Sequence, residues 1–400
     1  MKKVLYFFFF VIPFLPVFAF LKTETINYSA YYAIILLVYT VFYVLTKWKV
    51  KFDSNLLFWL WYLFITVISW PISFIIKKYS YLTYPFTAIS LYVLLKYYSN
   101  AFDYKIFIQF FIATAIVQAF LGISQSFFGF PMFENITMSV YESNRNYLAY
   151  IFPSLSQIVR QGTGTYDHFN GLASYLALAV PISYGIWKTK PTKLKYIILA
   201  IITFGLITTY SRGSLIGSIL GIYFILFIKA KKKSVFIIVT AIIAVMLVIL
   251  LSTAIMSYYQ STQNFSIREY TWIFTIQEAM NQPIKLIYGF GPFYFHEKFL
   301  GMAGTITNLH SGQLQIFLEE GAIGFLLFML LFINAIKRAF RYKNNIAIVS
   351  ITGGLIAFFV SQLFDNAYFG NTGILWFSFL AIVFSIGEEN IFALKLNNNK

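Results

Sequence analysis

The feature that most constrains this chain is its alternation of apolar blocks with short basic connectors from residue 4 to residue 387. Most blocks run to roughly 16 to 20 residues, the length at which a helix crosses a hydrocarbon core about 30 Å thick. Within lipid no water serves backbone N–H and C=O groups, so a block of this kind must satisfy them internally as a helix. Blocks at 4–21, 30–46, 57–76, 83–96, 105–122, 169–187, 195–210, 213–229, 234–252, 315–336, 345–364 and 370–387 read as spans. The pattern predicts an all-α polytopic membrane protein with about 12 transmembrane helices. Composition agrees: 59% of residues are hydrophobic and 11% charged, against about 25% charged in soluble domains. The block at 83–96 is short and holds Pro85, which suits a tilted or partly re-entrant piece. The opening MKKVLYFFFF resembles a signal peptide, but no small-residue cleavage site follows, and it reads as a first span.

A net charge of +16 invites a nucleic-acid reading, which the distribution of that charge excludes. The basic residues cluster between apolar blocks, in KWKVK (47–51), KTKPTKLK (188–195), KAKKK (229–233) and KRAFRYK (337–343). Lys and Arg concentrate in this way on the cytoplasmic side of a membrane. With both termini inside, 21 of the 30 basic residues fall in cytoplasmic segments, and Lys77 and Lys78 are the misfit. This orientation divides the chain into N-terminal helices (1–122), an outer loop (123–168), central helices (169–252), a large outer loop between spans 9 and 10 (253–314), C-terminal helices (315–387) and a cytoplasmic tail (388–400). The loop at 253–314 is the longest stretch that does not resemble membrane, and soluble chemistry is expected there. No cysteine occurs, and the histidines His168, His296 and His310 lack metal-ligand spacing, so neither a protein-built metal site nor a cofactor is expected.

The polar residues with chemical potential all fall on the outer side of this topology. Arg212 stands where a span begins, with Ser211 and Ser214 beside it, against the positive-inside rule. Guanidinium and helix N-terminal N–H groups together suit an anion such as a phosphate; an arginine snorkelling to the interface is the bland reading. Gly213, Gly217 and Gly221 give that helix a smooth packing face. Arg268 lies in 266–281, which reads as an amphipathic helix on the outer membrane surface. Gly289 and Gly291 flank Phe290 and permit close backbone approach to a ligand. His310 precedes the tenth span and has the residue type for a general base; helix capping is its structural alternative. Gln315, Glu319 and Glu320 are polar for a helix entering lipid and suggest a cavity lining. Arg160, His168 and Asn170 form a further outer polar group, with Asp167 able to cap the sixth span. Asp365 and Asn366 occupy the last outer turn without a readable role.

In combination these residues resemble the O-antigen ligase and O-antigen polymerase family of bacterial envelope proteins. The motifs that carry the resemblance are Gly164-Thr165-Tyr166 with Asn170, Ser211-Arg212-Gly213, Arg268-x-x-x-Trp272 followed by Pro283 and Gly289-x-Gly291, and His310 followed by Leu314, Gln315, Glu319, Gly321 and Gly324. They cover about 160–330 in order; the first five spans match in hydropathy only. The resemblance implies a C-type glycosyltransferase architecture in the bacterial cytoplasmic (inner) membrane. It implies a polyprenyl-diphosphate-linked glycan as donor, a glycan acceptor, the lipid bilayer as setting and an outer-face active site. It assigns catalysis to His310, Arg212 and Arg268, with the arginines on the diphosphate and the histidine on the acceptor hydroxyl. Ser211, Arg160, His168, Asn170, Gln315 and Glu319 are the accompanying substrate-binding candidates. Ser311 and Gln313 depart from the family's usual Asn and aromatic residue, which bears on acceptor contacts.

Two other classes compete with a polymerase or ligase. A flippase of lipid-linked glycans calls for polar residues at the midplane of several spans and broken helices in matching halves. Apart from Glu319 and Glu320, ionisable residues in the predicted spans lie only at their ends. A non-catalytic scaffold is the third reading, and it would tolerate replacement of Arg268 and His310.

Overall fold

The computed structural model describes residues 28–47, 50, 53–68, 83–98, 103–128, 162–166, 168–188, 191–230, 263–291, 309–366, 368 and 371–386. Among them there is no strand, and twelve helices follow one another: α1 (Tyr28–Lys47), α2 (Ser54–Ile68), α3 (Thr83–Tyr97), α4 (Tyr104–Phe128), α5 (Phe169–Trp187), α6 (Lys193–Ile207), α7 (Arg212–Lys229), α8 (Gln263–Met280), α9 (Pro283–Tyr288), α10 (Gly312–Arg341), α11 (Ile346–Ser361) and α12 (Asn371–Ser385). Helices α4, α5, α7 and α10 are long and apolar enough to cross a membrane. Helices α11 and α12, with most of α1 and α2, are shorter apolar segments. The predicted blocks at 4–21 and 234–252 lie outside the described residues.

Helix α5 forms the centre of the bundle: Leu172 to Ile182 are fully or almost fully buried, although Pro181 removes one backbone donor. Helix α11 packs on it and on α7 through small residues. A Cβ on Gly217 would stand 2.2 Å from the Ala357 carbonyl oxygen, and one on Gly221 2.3 Å from that of Gly353. The glycine face expected of α7 therefore works as a contact between backbones, the usual means of helix association where lipid removes the hydrophobic drive. A second packing centre is aromatic. Phe328 of α10 lies 5.3 Å from both the Trp376 and the Tyr368 ring centroids, and Phe332 stacks on Phe359 at 4.4 Å.

Two chain segments differ from the sequence expectation. Helix α4 runs on to Phe128 rather than ending at 122, because Gln125 is not a surface residue but bonds to the backbone of the turn at 163–164. The tenth span is not continuous either. Gly321 has φ 72° and ψ 178°, a conformation essentially restricted to glycine, and it breaks α10 into 312–320 and 322–341.

The far end of the bundle is closed by one charged cluster. Lys96 pairs with Asp53, which also accepts hydrogen bonds from Tyr92 (2.7 Å), Tyr97 (2.9 Å) and the Leu56 N–H (2.8 Å). Burial pushes the Asp53 carboxyl up, but Lys96 and these donors outweigh it and bring its pKa down to about 2. This is the side that the basic clusters assign to the cytoplasm.

Candidate functional site

The opposite end of the bundle gathers the residues with chemical potential. It begins at the turn between α6 and α7. Thr208 ends α6, Tyr210 takes φ 56°, and Ser211 takes the N-cap position of α7 without using its side chain as a cap. Its hydroxyl instead donates to Ser214 Oγ at 3.1 Å. Arg212 is the first helical residue and is exposed. A cation at a helix N-terminus opposes the helix dipole, so helix stability gives no reason for an arginine here.

His310 sits at the start of α10 with φ 47°, a left-handed conformation uncommon for a residue with a side chain. It is not the helix cap: Ser311 occupies that position and accepts from the Leu314 N–H at 3.4 Å. The backbone is pinned one residue later, where the Gly312 N–H donates to the carbonyls of both Gln362 (2.8 Å) and Asp365 (2.7 Å). The same turn reaches Arg212's helix, since a Cβ on Gly213 would stand 3.0 Å from the Phe364 ring. One turn at 362–365 therefore joins the start of α7 to the start of α10. Gln362 also donates to Ser174 Oγ at 2.9 Å and ties in α5.

His168 and Asn170 stand at the α5 entrance. His168 is the N-cap itself, accepting from the Asn170 N–H at 3.2 Å through Nδ1, a role the sequence offered to Asp167. Asp167 and Arg160 are outside the described residues. The turn before the entrance, Gly162–Tyr166, is held from two sides. The Gly162 N–H donates to the Thr208 carbonyl at 3.0 Å. Gln125 accepts from Thr163 N (2.9 Å) and Gly164 N (2.7 Å), and Gln118 accepts from Thr165 N at 3.0 Å.

Helices α8 and α9 attach at two points. Trp272 in α8 donates its indole N–H to the Leu309 carbonyl at 2.6 Å, one residue before His310. Arg268 lies one helical turn before Trp272 in α8. Beyond α9, Phe290 N and Gly291 N donate to the carbonyls of Leu318 (2.9 Å) and Glu319 (3.1 Å) at the break in α10. Gly289 has φ 103°, and a Cβ there would stand 2.2 Å from the Glu319 carbonyl oxygen. Gly289 thus permits close approach of the chain to α10.

Between the cap and the break, the first half of α10 is polar and buried. Glu319 and Glu320 are each 4% exposed and Gln315 8%. Gln315 donates to Glu319 Oε1 at 2.7 Å and accepts from Asn366, while Tyr62 of α2 donates to Glu320 Oε1 at 3.1 Å. Among the described residues no cluster of three His, Asp or Glu side chains has metal-binding geometry. The break at Gly321, the Tyr62–Glu320 contact and the two glutamines that hold the entrance turn were missed in the sequence. Their signal was present: two carboxylates before a glycine, and Gln118 and Gln125 seven residues apart on one helix face.

With this arrangement in view, residues 197–329 match a family model described as O-antigen ligase. No curated protein matches the chain. The matched stretch takes in Arg212, Arg268 and His310 and ends within α10.

Proposed function

We propose, from the match of residues 197–329 to a family model described as O-antigen ligase, that the chain is an outer-face glycosyltransferase of the bacterial cytoplasmic membrane. It moves a glycan from a polyprenyl-diphosphate carrier to a hydroxyl of an acceptor sugar. The acceptor oxygen attacks the anomeric carbon, and its proton passes to the His310 imidazole. The bond from that carbon to the diphosphate breaks, and its electron pair leaves with the diphosphate. Arg212 and Arg268 stabilise the charge that develops there, a contribution of the oxyanion-hole kind. No metal is required in this scheme, because the two guanidiniums carry the electrostatic work.

The observation that carries the reading is that Gly213 and Gly312, close neighbours of Arg212 and His310 within the family-matched stretch, both pack on one turn at 362–365. The His310 backbone adds support, since left-handed conformations at residues with side chains concentrate at functional sites. His168 and Asn170, at the α5 entrance, are assigned to glycan binding, and so is Arg160. The preferred reaction is polymerisation, in which the acceptor is another lipid-linked repeat unit.

The test uses purified protein in nanodiscs with a polyprenyl-diphosphate oligosaccharide and EDTA. A ladder of products is expected for a polymerase. A single addition that needs a separate acceptor would assign a ligase. Carrier movement across liposomes without any transfer would overturn the reading in favour of a flippase.

A further inference from the structure

The Asn366 side chain ends a directed chain of hydrogen bonds. Glu319 Oε1 accepts, so Gln315 turns its Nε2 toward it, at 2.7 Å. The Gln315 oxygen then faces Asn366, which must donate through Nδ2. What is left is Asn366 Oδ1, a buried acceptor with no hydrogen-bond donor among the described residues. An acceptor in that state is costly, and a ligand that supplies the donor is one explanation of it. The atom belongs to the turn whose Asp365 carbonyl binds Gly312 N–H, two residues past His310. Leu363 and Phe364 in that turn are 41% and 49% exposed, so the turn itself lies at the protein surface.

We propose that Asn366 Oδ1 is a fixed hydrogen-bond acceptor for a hydroxyl of the acceptor sugar, next to the hydroxyl that His310 deprotonates. This rests on the transferase reading above. The chemistry selects the ligand. A diphosphate offers only acceptor oxygens and has nothing to donate to an amide oxygen, whereas a sugar hydroxyl has a proton to give. A divalent cation is a poor fit, because it requires several oxygen ligands converging on one point. Gln315 and Glu319 are then positioning residues. Gln315 already has a protein partner on both its amide nitrogen and its amide oxygen, and Glu319 sets which way that amide points.

The experiment is a series of synthetic acceptors, each lacking one hydroxyl of the terminal sugar. They are assayed for kcat/KM in nanodiscs with a polyprenyl-diphosphate oligosaccharide donor. Wild-type transfer onto the complete acceptor is the control that the transferase reading itself must pass. In the wild type, one deoxy acceptor is expected to lose about tenfold, the value of one hydrogen bond to a buried amide. Asn366→Ala should be about tenfold slower on the complete acceptor and show no further loss on that deoxy acceptor. Glu319→Gln, which leaves Asn366 in place but lets the Gln315 amide turn over, should lose sensitivity to the same hydroxyl. A merely structural role would slow every acceptor alike. The proposal is overturned if both variants keep the full penalty, if no single hydroxyl matters to the wild type, or if the vanished penalty belongs to a deoxy sugar on the donor.

Discussion

Replacing Gly321 with alanine tests the broken helix that separates the polar half of α10 from its apolar half. At φ 72° and ψ 178° an alanine is strained by about 1–3 kcal/mol. Its Cβ would also stand 2.4 Å from Gly289 N and 2.5 Å from the Ile287 carbonyl oxygen, and backbone atoms cannot swing aside. Relief requires the 289–291 segment to withdraw, which gives up the bonds from Phe290 N and Gly291 N, worth about 1 kcal/mol each. The total is about 3–5 kcal/mol, a large share of the ~5–15 kcal/mol that holds a folded protein together. Tryptophan fluorescence of the detergent-solubilised protein should report a fall in unfolding midpoint on the order of 10 °C. Gly213→Ala is the control. Its Cβ meets a movable Phe364 ring at 3.0 Å from within a regular helix, so its effect should stay within about 1 kcal/mol. Equal midpoints for Gly321→Ala and wild type would refute the claim that the break and the 289–291 clasp are one unit.

Three further outcomes are expected. Because the folded-state Asp53 carboxyl lies near 2, below its ordinary 3.8, its stabilising contribution is complete above about pH 4 and is lost as pH falls toward 2. Midpoints measured from pH 6 to pH 2 should show this loss in the wild type and lack it in Asp53→Asn. Gly217→Val should destabilise by about 1–3 kcal/mol through overpacking against the Ala357 backbone, read as loss of monodisperse protein after heating. Arg212→Gln should lower transfer about 10²-fold with the fold intact, and Arg212→Lys should lose less, because the charge remains without the bidentate fork.

The helices were legible in the sequence because each apolar block carries its own length signal. The block at 169–187 coincides with α5, and the blocks at 213–229 and 105–122 lie within α7 and α4. The glycine face of α7 was legible for the same local reason, a four-residue repeat. What the sequence hid was everything decided by a partner far along the chain. Gln125 looks like the end of a span until the turn at 163–164 is seen to need it. A close backbone approach at Gly289 is legible, but its partner Glu319 is not. Arg212 and His310 stand out by residue type and motif, but the turn at 362–365 that joins the starts of their helices contributes carbonyls, which no sequence pattern marks. Asn366 had no readable role for a related reason, since its meaning depends on the direction of the Glu319–Gln315 bond.

The central claim is that His310 takes the acceptor proton in an outer-face glycosyl transfer. The most direct measurement is the transfer rate of His310→Ala against wild type in nanodiscs, at saturating donor, with matched unfolding midpoints to certify the fold. Removal of a general base is expected to lower the rate by about 10²–10⁴-fold. A variant that transfers glycan at the wild-type rate would contradict the claim.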